Sequence, residues 1–169
     1  MSVKLFLLIQ HFFDPDSPER RLAVLEAYNF ATAFIIYMIE ADARITLFTH
    51  IPVHLFRMLF TAAGVVFKVV DSSYSSDVDT ELGNATLNQA ISAMRKCSVE
   101  NNDVAGRHAE IMRQLWLSTD TVGTPSSSQP PSLVHRSRFG ASLAYDCLFY
   151  WRDNVGGQRS IGLNSSATS

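Results

Sequence analysis

Few residues in this sequence have the types and spacing that chemistry requires. His50 and His54, in His-Ile-Pro-Val-His, stand four positions apart, the separation that sets two imidazoles on one helix face for a metal. Pro52 falls between them and no Glu or Cys follows at ligand spacing. Structural zinc asks for about four ligands, so the two histidines read as polar residues at a helix entry. His108-Ala-Glu110 matches the His-x-Glu half of a zinc deaminase, but the Pro-Cys-x-x-Cys partner that such a site needs is missing from the sequence. Cys97 and Cys147 each fall on the apolar side of a helical pattern, where a free thiol acts as a small hydrophobe. Asp103 stands four residues before Arg107, the favourable order for an ion pair along a helix. The sequence has no Gly-x-Ser-x-Gly elbow and no phosphate-cradling glycine loop, and Val155-Gly-Gly-Gln-Arg-Ser160 follows no strand pattern. These parts do not assemble into a catalytic site. The sequence predicts a protein that is not an enzyme, with no cofactor and no metal of its own.

The elements that would position such residues are helical. The chain has 169 residues, one domain's worth, with 47% hydrophobic and 18% charged side chains. Its 14 basic and 16 acidic residues leave a net charge of −2, whereas nucleic-acid surfaces carry a basic excess. Two cysteines are too few for a disulfide framework and fit a reducing compartment. The start, MSVKLFLLIQHFF, has no small-residue cleavage pattern and reads as a helix of the fold. The apolar runs 28–39 and 58–67 are shorter than the ~20 residues that span a bilayer.

A long helix begins at Ser17 as N-cap with Pro18 first and Glu19 in the first turn, and its stripe is expected at Leu22, Leu25, Tyr28, Thr32, Ile36 and Ile39. Thr32, the one polar member, is small enough to sit in a helix contact if its hydroxyl bonds back to the preceding turn. The next helix starts near Pro52 and runs through Leu55, Met58, Leu59, Ala62, Val66 and Val69. Small residues at Thr61-Ala62-Ala63-Gly64 would admit a close neighbour. In 71–79 the chain breaks, with Ser76 and Asp79 imitating a capping box. A helix through Leu87, Ala90, Ile91, Met94 and Cys97 follows. Then comes one capped around Asp103, with its stripe at Val104, His108, Ile111 and Leu115 and with Trp116 on the shoulder of the buried face. Residues 118–133, rich in Ser, Thr and Pro, read as a flexible loop. Beyond it a closing helix around Phe139, Leu143, Cys147 and Tyr150 is expected to receive Trp116, and 156–169 reads as a disordered tail. The expectation is an all-α bundle of antiparallel helix hairpins, one domain over residues 1–155.

Taken together, three segments resemble the regulatory part of fungal zinc-cluster transcription factors, the fungal-specific or middle homology region, in particular its leucine-biosynthesis-regulator-like members. PVHLFRMLFTAAGVVFKVVDSSYSSDVD (52–79) looks like their Ala-Ala, Lys, Ser segment. LNQAISAMRKCSVENNDVAGRHAEIMRQLW (87–116) is similar to the part that leads into Asn-Asp-x3-Arg and ends in Gln-Leu-Trp. RSRFGASLAYDCLFYWRDN (136–154) resembles the closing helix. The resemblance spans roughly residues 20–154, and its signature residues are Asp103, Arg107, Trp116, Arg138, Asp146, Trp151 and Arg152.

What the resemblance implies is an effector-responsive region of a nuclear regulator of RNA polymerase II transcription. Its partners would be a second copy or a protein of the transcription machinery, with a small-molecule effector and no membrane. The chain departs from the family where DNA is bound. Two distant cysteines cannot form the family's six-cysteine, two-zinc cluster, so zinc is implied only for that N-terminal cluster and DNA only through a domain outside this sequence. The sequence looks like the C-terminal portion of the regulatory region, a fragment or a truncated product. The rival reading is a stand-alone helical interaction module or truncated regulator with no DNA binding. A helical enzyme or membrane-associated protein ranks last.

Overall fold

The computed structural model describes residues 2–14, 17–100 and 103–121. Five α-helices and three short 3-10 turns form a bundle, with no strand among the described residues. The all-α expectation is met. We number the helices α1 (Ser2–Gln10), α2 (Pro18–Ile45), α3 (Val53–Val70), α4 (Thr80–Lys96) and α5 (Val104–Thr121).

The amino-terminal run is a helix of the fold. It buries Leu5, Leu8 and Ile9, and the 3-10 turn after it buries Phe12. α2 starts as its sequence dictates: the Ser17 Oγ accepts from Arg20 N at 3.1 Å, Pro18 takes the first helical position and Glu19 the first turn. At 28 residues it is about 42 Å long. It ends at Thr46 in the left-handed region, φ 49°, an uncommon place for a β-branched residue. The Asp42 carboxylate holds that corner by accepting from Phe48 N at 2.9 Å, while the Phe48 ring is buried.

The buried face of α2 differs from the expected stripe. Leu22 is 69% exposed, and Leu25, Ile36 and Ile39 are only partly buried. The face that packs is Ala23, Ala27, Ala31, Phe34, Ile35 and Met38, with Tyr28 and Thr32 as expected. Alanines four residues apart present a flat strip against which α3 and α4 can close, and dense contact outweighs the size of the individual side chains. The Thr32 hydroxyl does not bond back to the helix; it is buried with no hydrogen-bond partner.

α3 is the axis of the bundle. Every residue from Met58 to Phe67 is buried, the small group Thr61-Ala62-Ala63-Gly64 included, and the helix meets α1, α2, α4 and α5. α2 and α3 are each long and apolar enough to cross a membrane by length and composition alone, and each uses that apolar surface to pack within the bundle.

The break at 71–79 contains a 3-10 turn, Ser73–Asp77, capped by Ser72. The N-cap of α4 is Asp79, whose carboxylate accepts from Leu82 N at 2.9 Å; Ser76 lies inside the 3-10 turn and does not cap. α4 buries Leu87, Ala90, Ile91 and Met94 as expected and ends on Cys97 as C-cap.

On α5 Leu115 is fully buried as expected, but Ala109 and Met112 fill the rest of the buried face, His108 and Ile111 are only partly buried, and Val104 is 56% exposed. α5 runs on to Thr121, into the segment expected as loop from residue 118. The remainder of that loop, the closing helix and the 156–169 tail lie outside the described residues.

Candidate functional site

Of the signature residues, Asp103 and Arg107 belong to the α4–α5 junction and Trp116 lies more than three turns along α5. Asp103 organises it. One carboxylate oxygen accepts from Gly106 N at 2.7 Å and from the Ser98 hydroxyl at 2.8 Å, and the other accepts from Val99 N at 2.8 Å. The N–H of Gly106, then that of Val99 and the Ser98 hydroxyl, favour the anion and hold the Asp103 pKa down at about 2. Gly106 suits this turn for want of a side chain, since a Cβ there would stand 3.1 Å from Ser98 Oγ and 3.3 Å from Asp103 Oδ1.

The expected Asp103–Arg107 ion pair does not form. Both oxygens of Asp103 are taken by the cap, and Arg107 is exposed, joined to Asp103 only through the backbone bond from its N to the Asp103 carbonyl. Trp116 is half-buried against the core, beside the fully buried Leu115, which is the shoulder position expected for it. Phe139, Leu143 and Cys147, its expected partners, lie outside the described residues, as do Arg138, Asp146, Trp151 and Arg152.

The other chemistry-bearing residues do structural work. His108 packs edge-on against Phe60 and Phe56, with ring centroids 4.4 and 5.8 Å away, and its Nδ1 lies 2.6 Å from the Val104 carbonyl, a placement that assigns the ring proton to Nδ1. Glu110 receives Arg113 Nε at 2.9 Å and Nη2 at 2.6 Å, with Gln114 Nε2 at 2.7 Å. Those bonds, the Arg113 contact foremost, lower its pKa to about 2, so it stays ionised and occupied. His-Ala-Glu thus makes a packing contact and an ion-pair network in place of a catalytic pair.

His50 ends a 3-10 turn and His54 sits in the first turn of α3, with Pro52 in extended backbone between them, so the two imidazoles do not share one helix. Among the described residues no three His, Cys, Asp or Glu gather as metal ligands would. Burial, foremost, raises the Cys97 thiol to about 11; it is protonated at neutral pH and its Sγ donates to the Ala93 carbonyl at 3.2 Å.

A contact that sequence reading missed joins α2 to the start of α4. The Tyr28 hydroxyl donates to the Asp79 carbonyl at 2.5 Å. It can reach because residue 83 is glycine: a Cβ there would stand 2.7 Å from Tyr28 Oη and 2.8 Å from Val70 Cγ2. The only hint in the sequence is a glycine inside a helical pattern, which signals close approach without naming the neighbour.

No family model and no solved structure matches the chain. It is similar to "Regulatory protein LEU3" of Saccharomyces cerevisiae (strain ATCC 204508 / S288c), with 25% identity over 153 residues. The alignment covers 82% of this chain and 17% of the yeast protein, so the chain spans a small part of the length of the curated relative it matches. The likeness therefore runs across most of the helical bundle and is to a fungal regulatory protein.

Proposed function

We propose that this chain is part of the helical regulatory region of a fungal transcription regulator, acting in the nucleus on RNA polymerase II transcription and carrying out no catalysis. The observation that carries the reading is the similarity to a yeast regulatory protein across 82% of the chain. The use of Asp103, His108, Glu110 and Cys97 in caps, packing and ion pairs supports it, since each is committed to holding helices in place. In this reading DNA is reached through a zinc-cluster domain outside these residues. The bundle restrains or releases activation by shifting between helix packings, a shift biased by a metabolite or a partner protein that prefers one of them.

The test inserts residues 1–169 between an unrelated DNA-binding domain and an activation segment in a yeast reporter strain. Output is expected to fall well below that of the same parts joined by a flexible spacer of equal length. Leu59→Ala, which hollows the bundle's axis, is expected to restore it. Output equal to the spacer control overturns the proposal.

A second reading, a stand-alone interaction module that pairs with another copy or with a protein of the transcription machinery, draws on one end of the bundle. There α2 and α4 finish, joined by Lys96 and Asp42 at 3.3 Å, and α3 and α5 begin; Ile45, Val53, Val99 and Val104 are all exposed. Concentration-dependent dimerisation abolished by Val99→Asp would favour it. A monomer throughout the micromolar range would count against self-pairing.

A further inference from the structure

The opposite end of the bundle, where α2 and α4 begin and α3 finishes, together with the middle of α2 next to it, holds polar atoms that the closed packing leaves unpaired. Among the described residues, the side-chain atoms buried with no hydrogen-bond partner are Arg20 Nε, Thr32 Oγ1 and Asn84 Oδ1. Arg20 lies in the first turn of α2, and Asn84 follows Gly83 in the first turns of α4. Thr32 stands one turn along α2 from Tyr28; its hydroxyl lies near the phenol and works against the upward shift that burial imposes there, but it does not reach hydrogen-bond geometry. Asp71, the C-cap of α3, is a desolvated carboxylate at the negative end of that helix's dipole. The far end has no such debt: Asp42 and Asp103 accept from Phe48 N, Gly106 N and Val99 N, and Asp42 also meets Lys96.

Buried polar atoms without partners disfavour the closed arrangement, and water satisfies them once the contact opens. Polar ties hold the corner shut: Tyr28 Oη to the Asp79 carbonyl, and Arg21 to Asp77. Between them lies the tight seat of Gly83 against Tyr28 and Val70, which has one close-packed position and little room to slide.

We propose that this corner is the element of the bundle that moves: the first half of α4, together with the 71–79 turn, swings off α2, with Tyr28–Asp79 as its latch, while the Asp103 end stays closed. The unpartnered atoms and the latch argue for the opening, and its role as the regulatory shift rests on the proposed function. It deepens the regulatory reading by naming the part that would shift.

Hydrogen exchange on the 1–169 chain tests it. Amides of residues 84–90 are expected to exchange roughly ten-fold faster than those of 91–96 in the same helix, because opening below the global limit exposes only the first group. Tyr28→Phe removes the latch and is expected to speed exchange at 84–90 further, leaving 59–67 in α3 unchanged. Thr32→Val keeps the shape, removes the unpartnered hydroxyl and is expected to slow exchange at 84–90. If Tyr28→Phe fails to fold, the wild-type gradient and Thr32→Val still decide. Even protection along α4, or Thr32→Val leaving the gradient unchanged or steeper, overturns the proposal. Neither result depends on the reporter assay, so the moving corner and the regulatory reading can fail separately.

Discussion

At the scale of single residues, two aspartates pull the chain's acid response in opposite directions. Asp103 ionises in the folded chain at about 2, chiefly because Gly106 N–H bonds its anion. In the unfolded chain it titrates near 4. The stability it contributes is whole above about pH 4 and is lost as pH falls toward 2. Asp103→Asn keeps an acceptor at the cap but has no charge to lose, so its stability should fall less steeply over that range in acid-titrated melts. Asp71 is the reverse case, lifted to about 6 by burial. Its ionised form is the unfavourable one in the fold, so stability rises as pH falls from about 6 toward 4. Asp71→Asn should raise the melting temperature at neutral pH and change little at pH 4; a variant that melts no higher than wild type at neutral pH would contradict this assignment. Leu115 and Trp116 offer a third check. Leu115 is fully buried and Trp116 only half so, so Leu115→Ala should cost about 2–5 kcal/mol and Trp116→Ala less, as read from denaturant melts.

At the scale of elements, Gly83 shows how packing overrides local preference. Alanine there would gain up to ~1 kcal/mol of helix propensity. Its Cβ would stand 2.7 Å from a Tyr28 hydroxyl that Asp79 holds in place and 2.8 Å from Val70. Overpacking of that kind costs about 1–3 kcal/mol, so Gly83→Ala should lower the urea midpoint, and a raised midpoint would show that the α2–α4 seat is loose. The same conflict explains how far the sequence could be read. Ser17-Pro18 marked the start of α2, and the α4 stripe was legible, because cap and periodicity are local properties. On α2 and α5 the reading caught Tyr28, Thr32 and Leu115, which are buried, but passed over Ala23, Ala27, Ala31 and Ala109, because a period search gives small residues little weight, and it missed the neighbouring Phe34, Ile35, Met38 and Met112. Several acceptors in 71–79 could have capped α4, and tertiary placement selected Asp79 over Ser76. At the junction the sequence marked Asp103 as a cap but paired it with Arg107, because spacing does not reveal that the turn takes both oxygens first.

At the scale of the molecule, every described helix contributes to one apolar cluster, from Leu5 of α1 through α3 to Leu115 of α5. A fold held by a shared core should lose its global structure in one transition, above the local opening proposed for the α2–α4 corner, and owe its stability to burial. With 14 basic against 16 acidic residues, its surface gives little attraction to a polyanion. Binding of this chain to duplex DNA should be weak and vanish at physiological salt; salt-resistant, sequence-specific retention of a CGG-containing duplex would refute that. Metal supplies the sharper contrast. In a zinc-dependent domain the binding free energy is folding free energy, and a chelator unfolds it. Here Cys97 is a protonated thiol bonded to the Ala93 carbonyl, His108 is packed against two phenylalanine rings, and Glu110 and Asp103 are engaged by Arg113 and by backbone N–H groups. A metal at any of these four groups would have to displace those partners before it could bind. The purified chain is therefore expected to carry zinc below one ion per molecule and to keep its helical circular dichroism and its melting temperature in excess chelator. Loss of helicity on chelation would mean that metal, and not the core around α3, holds these helices together.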